Sequence, residues 1–168
     1  MSGHNKWNQI KHKKAITDKK RGQSFSKLSK LISLAARKGI NPITNLELKN
    51  AIDKAREVSM PNDNIQRAIN KVADKSIHLE ELYVEALGPG NVALRIKAIT
   101  DNRNRTIAEI KKILGDNHSK MVTPGSISWM LSQTTSTDNP DTNKELDTLF
   151  EALDDNDDIE DIASNLQD

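Results

Sequence analysis

The stretch Glu80-Glu81-Leu82-Tyr83-Val84-Glu85-Ala86-Leu87-Gly88-Pro89-Gly90-Asn91-Val92-Ala93-Leu94-Arg95-Ile96-Lys97-Ala98-Ile99-Thr100 decides the fold class. Leu82, Val84 and Ala86 alternate with Tyr83, Glu85 and Leu87, and Val92, Leu94, Ile96 and Ala98 alternate with Ala93, Arg95, Lys97 and Ile99. That is a period of two, the signature of strands with one buried face. Gly88-Pro89-Gly90-Asn91 between them supplies turn residues, so the whole reads as a β-hairpin.

Upstream the period is helical. Phe25, Leu28, Leu31, Ile32, Ala35 and Ala36 recur at three and four residues, and Gly39 ends the run. Asn41-Pro42 is a turn, and Thr44 with Glu47 has the spacing of a capping box. A second helix carries Leu48, Ala51, Ile52, Ala55 and Val58, and Met60-Pro61 breaks it. A third carries Ile65, Ala68, Ile69 and Val72. None of the three can bury its stripe alone, so residues 24–76 are expected to form a three-helix bundle.

Downstream of the hairpin, Asp101-Asn102 or Asn104 can cap a helix with Ile107, Ile110, Ile113 and Leu114 on one face. Thr123-Pro124-Gly125 turns into an expected strand over residues 126–131 with Trp129. Residues 132–141 read as a polar linker. A second capping box, Thr142 with Glu145, opens a helix with Leu146, Leu149, Phe150 and Leu153, and Ile159 and Ile162 close with a strand. Residues 77–168 therefore read as an α+β domain of order ββαβ–αβ. Residues 1–23 are sparse in apolar side chains and are expected to form a mobile basic arm.

The 168 residues carry 25 Lys and Arg against 24 Asp and Glu, a formal charge of +1. The sum hides a segregation. Residues 1–40 hold eleven Lys or Arg and one acid, Asp18; residues 141–168 hold eleven acids and one Lys, Lys144. Asymmetry of this kind points to nucleic acid more than the total does. There is no cysteine, which excludes disulfides, thiolate metal sites and cysteine nucleophiles. No apolar run has the length of a membrane span, and the start lacks the apolar core of a signal peptide. A cytoplasmic protein without membrane contact is expected.

His4, Lys6, Trp7, Lys11, His12, Lys13, Lys14, Lys19, Lys20, Arg21, Lys27 and Lys30 are the candidate nucleic-acid contacts. Lysine and arginine displace counterions from phosphates, and an indole inside the run could stack on a base. A solubilising tail is the plain alternative. Arg37, Lys38, Arg67, Arg103 and Arg105 are secondary phosphate candidates. The third helix shows Asn62, Asn64, Gln66, Arg67, Asn70 and Lys71, side chains that could read base edges or simply face water. Asn102-Arg103-Asn104-Arg105-Thr106 could present a helix N-terminus to phosphate, or could be a cap ion-paired to Glu109 or the acidic end. The acids at 154–161 read as a solvated turn. The four histidines have no ligand spacing, and no catalytic constellation is recognisable. No enzyme activity, cofactor, metal or small-molecule substrate is expected.

Gly3-His4-Asn5-Lys6-Trp7, Ile10-Lys11-His12-Lys13-Lys14, Ala51-Ile52-Asp53-Lys54-Ala55, Met60-Pro61-Asn62-Asp63-Asn64-Ile65, Gly88-Pro89-Gly90, Thr100-Asp101-Asn102-Arg103-Asn104-Arg105-Thr106, Trp129-Met130 and Leu149-Phe150-Glu151-Ala152-Leu153 together resemble the YebC/PmpR family. The chain departs at Asn5, where the family usually has Ser, and at Asn91, where it has Gly. It also has only residues 132–141 where typical members insert a ferredoxin-like third domain. The resemblance implies a non-enzymatic, nucleic-acid-binding regulator of gene expression. An rRNA- or ribosome-binding translation factor that activates translation or relieves stalled ribosomes is the first form of that expectation, and a DNA-binding transcriptional regulator the second. A protein-interaction adaptor working through the acidic C-terminal segment is a third. A monomer is expected.

Overall fold

The computed structural model describes residues 4–13 and 18–167 and, at positions 12 and 13, the backbone alone. The chain is α+β, with helices α1 (Asn5–Lys13), α2 (Asp18–Ala36), α3 (Leu46–Glu57), α4 (Asn62–Asn70), α5 (Arg103–Asp116), α6 (Ser128–Leu131) and α7 (Pro140–Asp154), and strands β1 (Glu80–Leu87), β2 (Ala93–Thr100), β3 (Lys120–Val122) and β4 (Ile159–Ser164). Of the described residues, 4–13, 81–98 and 102–167 form one compact unit, and 18–80 with 99–101 form the other.

The helical unit is α2, α3 and α4. Ile32, Ala35 and Ala36 of α2 meet Leu48, Ala51, Ile52 and Ala55 of α3 and Ile65, Ala68 and Ile69 of α4 in one buried cluster. Ser33, buried on the same side, donates to the Ala68 carbonyl at 2.7 Å. The α2 helix already includes residues 18–23, ahead of its expected start at residue 24, with Asp18 in its first described turn. The α3 cap is Asn45, not Thr44. Asn45 Oδ1 accepts from Leu48 N–H at 3.1 Å, and its Nδ2 donates to the carbonyls of Ala35 and Gly39 at 2.8 and 2.7 Å. One buried amide thus closes the start of α3 and the end of α2.

In the α+β unit the four antiparallel strands run in the order β3-β1-β2-β4. The hairpin stands where the alternation put it, and Gly88 N–H donates to the Val92 carbonyl at its turn. Leu82, Val84, Ala86, Leu94, Ile96 and Ala98 pack under Ile110 and Leu114 of α5 and Leu146, Leu149, Phe150 and Leu153 of α7. The opposite face carries Tyr83 with Arg95 over its ring, 4.8 Å from the centroid, and Lys97 within 3.6 Å of both Glu81 and Glu160.

Three local expectations change. The third strand is Lys120–Val122, paired with β1 through Glu85↔Val122 and Leu87↔Lys120, while Trp129 lies on the short helix α6 and is 62% exposed. The α7 helix is capped by Asn139, whose Oδ1 accepts from Asp141 N–H, with Pro140 in the first turn; Thr142 lies inside the helix. The Ser132–Asn139 segment is laced to the C-terminal end, since Thr135 bridges Leu166 in parallel.

Residues 5–13 are helical and built into this unit. Trp7 and Ile10 enter the core at 2% and 3% exposure, and the Trp7 ring lies 6.5 Å from that of Phe150. Where the sequence leads one to expect a mobile arm, residues 5–13 are instead a helix whose two large apolar side chains, three residues apart, are buried in the core.

Candidate nucleic-acid interface

Helix α2 separates its residues by chemistry. At about 3.6 residues per turn, Lys19, Lys20, Gln23, Lys27 and Lys30 fall on one side, opposite Leu28, Ile32 and Ala35. Lys19 and Arg21 are exposed; Lys20, Lys27 and Lys30 are half-buried. Lys20 donates to Gln23 Oε1 at 3.5 Å. Gln23 was not among the sequence candidates, and its spacing of four from both Lys19 and Lys27 is the signal that finds it. The result is a cationic ridge along about three turns, the arrangement that tracks a phosphate backbone.

The first residues of the basic segment are placed differently, in the α+β unit. His4 Nε2 lies 2.7 Å from Asp161 Oδ2, and Lys6 Nζ lies 2.5 Å from Asp147 Oδ1. Trp7 is a core residue. Its proposed stacking on a base is corrected, because a ring 2% exposed presents no face to a ligand. Lys11 is exposed, with its ammonium 5.4 Å from the Trp7 ring centroid, a cation–π contact that covers the indole. Lys14 and the side chains of His12 and Lys13 lie outside the described residues.

The secondary candidates are mostly committed to the fold. The Arg37 guanidinium donates to the backbone carbonyls of Leu79 and Ile77, fastening the segment after α4 to the end of α2. Lys38 pairs with Glu47 at 2.6 Å on the surface. Arg67 Nη2 donates to Asn64 Oδ1 at 2.5 Å, and Gln66 to Asn70 Oδ1 at 3.1 Å, so the polar side chains of α4 satisfy one another along the helix.

At the start of α5, Asn102 is the cap and accepts from Arg105 N–H at 3.1 Å. The anion at this helix end is the protein's own. Asp158 is 4% exposed, and its Oδ2 accepts from the Thr106 hydroxyl at 2.7 Å and from Arg105 Nη2 at 2.9 Å. The acidic turn is therefore partly interior, where the sequence reading had it solvated, and Arg105 is bound to it. Arg103 stands at the first position of α5, on the surface. Among the described residues no three His, Asp or Glu side chains gather closely enough to hold a metal ion, and no helix is long and apolar enough to cross a membrane.

Two family profiles match the chain. Residues 5–75 match the TACO1/YebC protein N-terminal domain, and residues 79–134 match the TACO1/YebC second and third domain. Similar proteins include a probable transcriptional regulatory protein of Halothermothrix orenii, 48% identical over 136 residues covering 79% of this chain and 54% of the relative. One of Trichormus variabilis is 47% identical over 138 residues, covering 79% and 55%. One of Pelodictyon phaeoclathratiforme is 46% identical over 156 residues, covering 91% and 62%. The chain thus spans just over half the length of these curated relatives. A solved structure, that of a conserved hypothetical protein from Aquifex aeolicus, superposes with a TM-score of 0.85 at 26% identity, the match covering 96% of each chain.

Proposed function

Since the chain belongs to the TACO1/YebC family, we propose that it is a non-enzymatic regulator of gene expression that binds nucleic acid, and that its ligand is ribosomal RNA, met in the course of translation. The names of its relatives, probable transcriptional regulatory proteins, support the regulatory part of this reading. The observation that carries the nucleic-acid part is the cationic ridge of α2, with Lys19, Lys20, Lys27 and Lys30 on the face opposite its core stripe. A ridge of lysines reads charge and shape rather than base sequence, which suits a structured RNA surface.

Duplex DNA read by α4 in a major groove is the other form of the proposal. The bonds from Arg67 to Asn64 and from Gln66 to Asn70 weigh against it, because base readout would have to break them. Sedimentation with ribosomes through a sucrose cushion at low salt tests the choice. The protein is expected in the ribosomal pellet, and Lys27→Glu with Lys30→Glu is expected to release it. A protein that stays in the supernatant while binding duplex DNA tightly would overturn the RNA reading.

A further inference from the structure

The α+β unit contains a polar cleft of about 280 Å³ between the start of α1 and the lacing of residues 135–137 onto the C-terminal end. Its walls include Asn5, Lys6, Gln9, Asn143, Leu166 and Gln167. The cleft is preorganised. Thr135 N–H donates to the Asn165 carbonyl and Gln167 N–H to the Thr135 carbonyl, each at 2.7 Å. Asn143 is fixed by Thr137, whose hydroxyl donates to its Oδ1 and whose carbonyl accepts from its Nδ2. Lys6 is the one ionisable group of the lining, and Asp147 neutralises it at 2.5 Å. Around this fixed frame the side-chain amides of Asn5, Gln9 and Gln167 make no hydrogen bond among the described residues.

A neutral cleft lined with uncommitted carboxamides and one aliphatic side chain fits an uncharged planar group with donors and acceptors on its edge. We propose that it takes one base of a single-stranded nucleic acid, an adenine by preference. Leu166 lies against the plane of the ring, and Asn5, Gln9 or Gln167 pairs with its edge. A carboxamide matches adenine N6 and N7 with one donor and one acceptor, and bases splayed out of single strands are read in this way. The volume is just below the roughly 300 Å³ at which ligand pockets begin, room for one base. This assignment rests on the nucleic-acid reading of the chain and adds sequence preference to a ridge that has none.

The test uses the full chain and four single-stranded decamers, A10, C10, G10 and U10, in fluorescence-anisotropy titrations with NMR of the side-chain amides. The wild-type protein is expected to bind A10 at least tenfold more tightly than U10 and to show shifts of the Asn5, Gln9 and Gln167 amide resonances. Asn5→Ala with Gln9→Ala, both on α1, is expected to bring A10 and U10 within twofold of each other by weakening A10. A wild-type protein that binds all four decamers alike, or a double variant that keeps its preference, would overturn the cleft assignment and leave the ridge standing. Amide shifts produced by a glycine–serine decapeptide and by none of the oligonucleotides would also overturn it. Failure of every decamer to bind the wild-type protein at low salt would remove the nucleic-acid reading along with the cleft.

Discussion

Trp7 is held between α1 and the sheet, 2% exposed and against Phe150. Truncating a buried aromatic removes its transfer free energy and leaves a cavity, at a cost of about 3–5 kcal/mol. Trp7→Ala is therefore expected to lower the urea midpoint of unfolding sharply with little change in slope. RNA affinity, measured where the variant is still folded, is expected to stay within twofold. A ring that stacked on a base would show the opposite pattern, with stability kept and about 1–3 kcal/mol of binding lost. The reason Trp7 misled lies in its neighbours. Among Lys6, Lys11 and Lys13 an indole has the context of a stacking platform, and the residue that reveals its other use, Phe150, is far away in sequence. Ile10 was the local sign, since Trp7 and Ile10 at a spacing of three make a short apolar edge.

At the scale of elements, what the sequence showed and what it hid divide by the range of the interaction. The hairpin was legible because its alternation and its turn lie within 21 consecutive residues. The caps were half legible: Asn102 was one of the named possibilities, while Thr44 and Thr142 fit a local motif that Asn45 and Asn139 outcompeted. Asn45 wins because its amide also reaches Ala35 and Gly39 across the bundle, contacts invisible to a four-residue pattern. Asn45→Ala is expected to lower stability by about 0.5–2 kcal/mol for the cap alone, with a further loss from the two carbonyls left without a donor. Thr44→Ala is expected to change it by less than about 0.5 kcal/mol, and thermal melts of the two variants decide between the caps. The strand expected at 126–131 failed because Ile127, Trp129 and Leu131 alternate over a run too short to separate from a helical turn.

The exposed face of the sheet makes a second prediction at this scale. Burial works to lower the Lys97 pKa, but the carboxylates of Glu160 and Glu81, with Tyr83 and Asp161, outweigh it and hold the ammonium above its usual 10.5. Tyr83 is likewise raised above its usual 10.0, first by burial. Both folded groups bind protons more tightly than the unfolded chain does. Their contribution is complete below pH 10 and is lost as pH rises through the folded values. Stability is expected to fall with pH above about 10, and Lys97→Met with Tyr83→Phe to flatten that decline in alkaline urea titrations.

Over the whole molecule, a net charge of +1 conceals two opposed blocks that meet within the α+β unit. His4 reaches Asp161, Lys6 reaches Asp147 and Arg105 reaches Asp158. Acids from the C-terminal block thus engage His4 and Lys6 of the N-terminal block and Arg105 of α5, and the side chains proposed to meet phosphate are those of α2. This moves the expected salt dependence from the N-terminal segment to one helix. If Lys19, Lys20, Arg21, Lys27 and Lys30 each displace a counterion from a single-stranded RNA, log K falls with log salt at a slope of about −3.5. Lys27→Gln and Lys30→Gln are each expected to make that slope shallower by about 0.7. Lys6→Gln is expected to do the reverse, lowering stability by stranding Asp147 while leaving the slope as it was. Filter-binding titrations of the three variants between about 50 and 200 mM salt measure both slopes, and a slope that responds to Lys6 instead of to Lys27 and Lys30 would return the binding surface to the first residues of the chain.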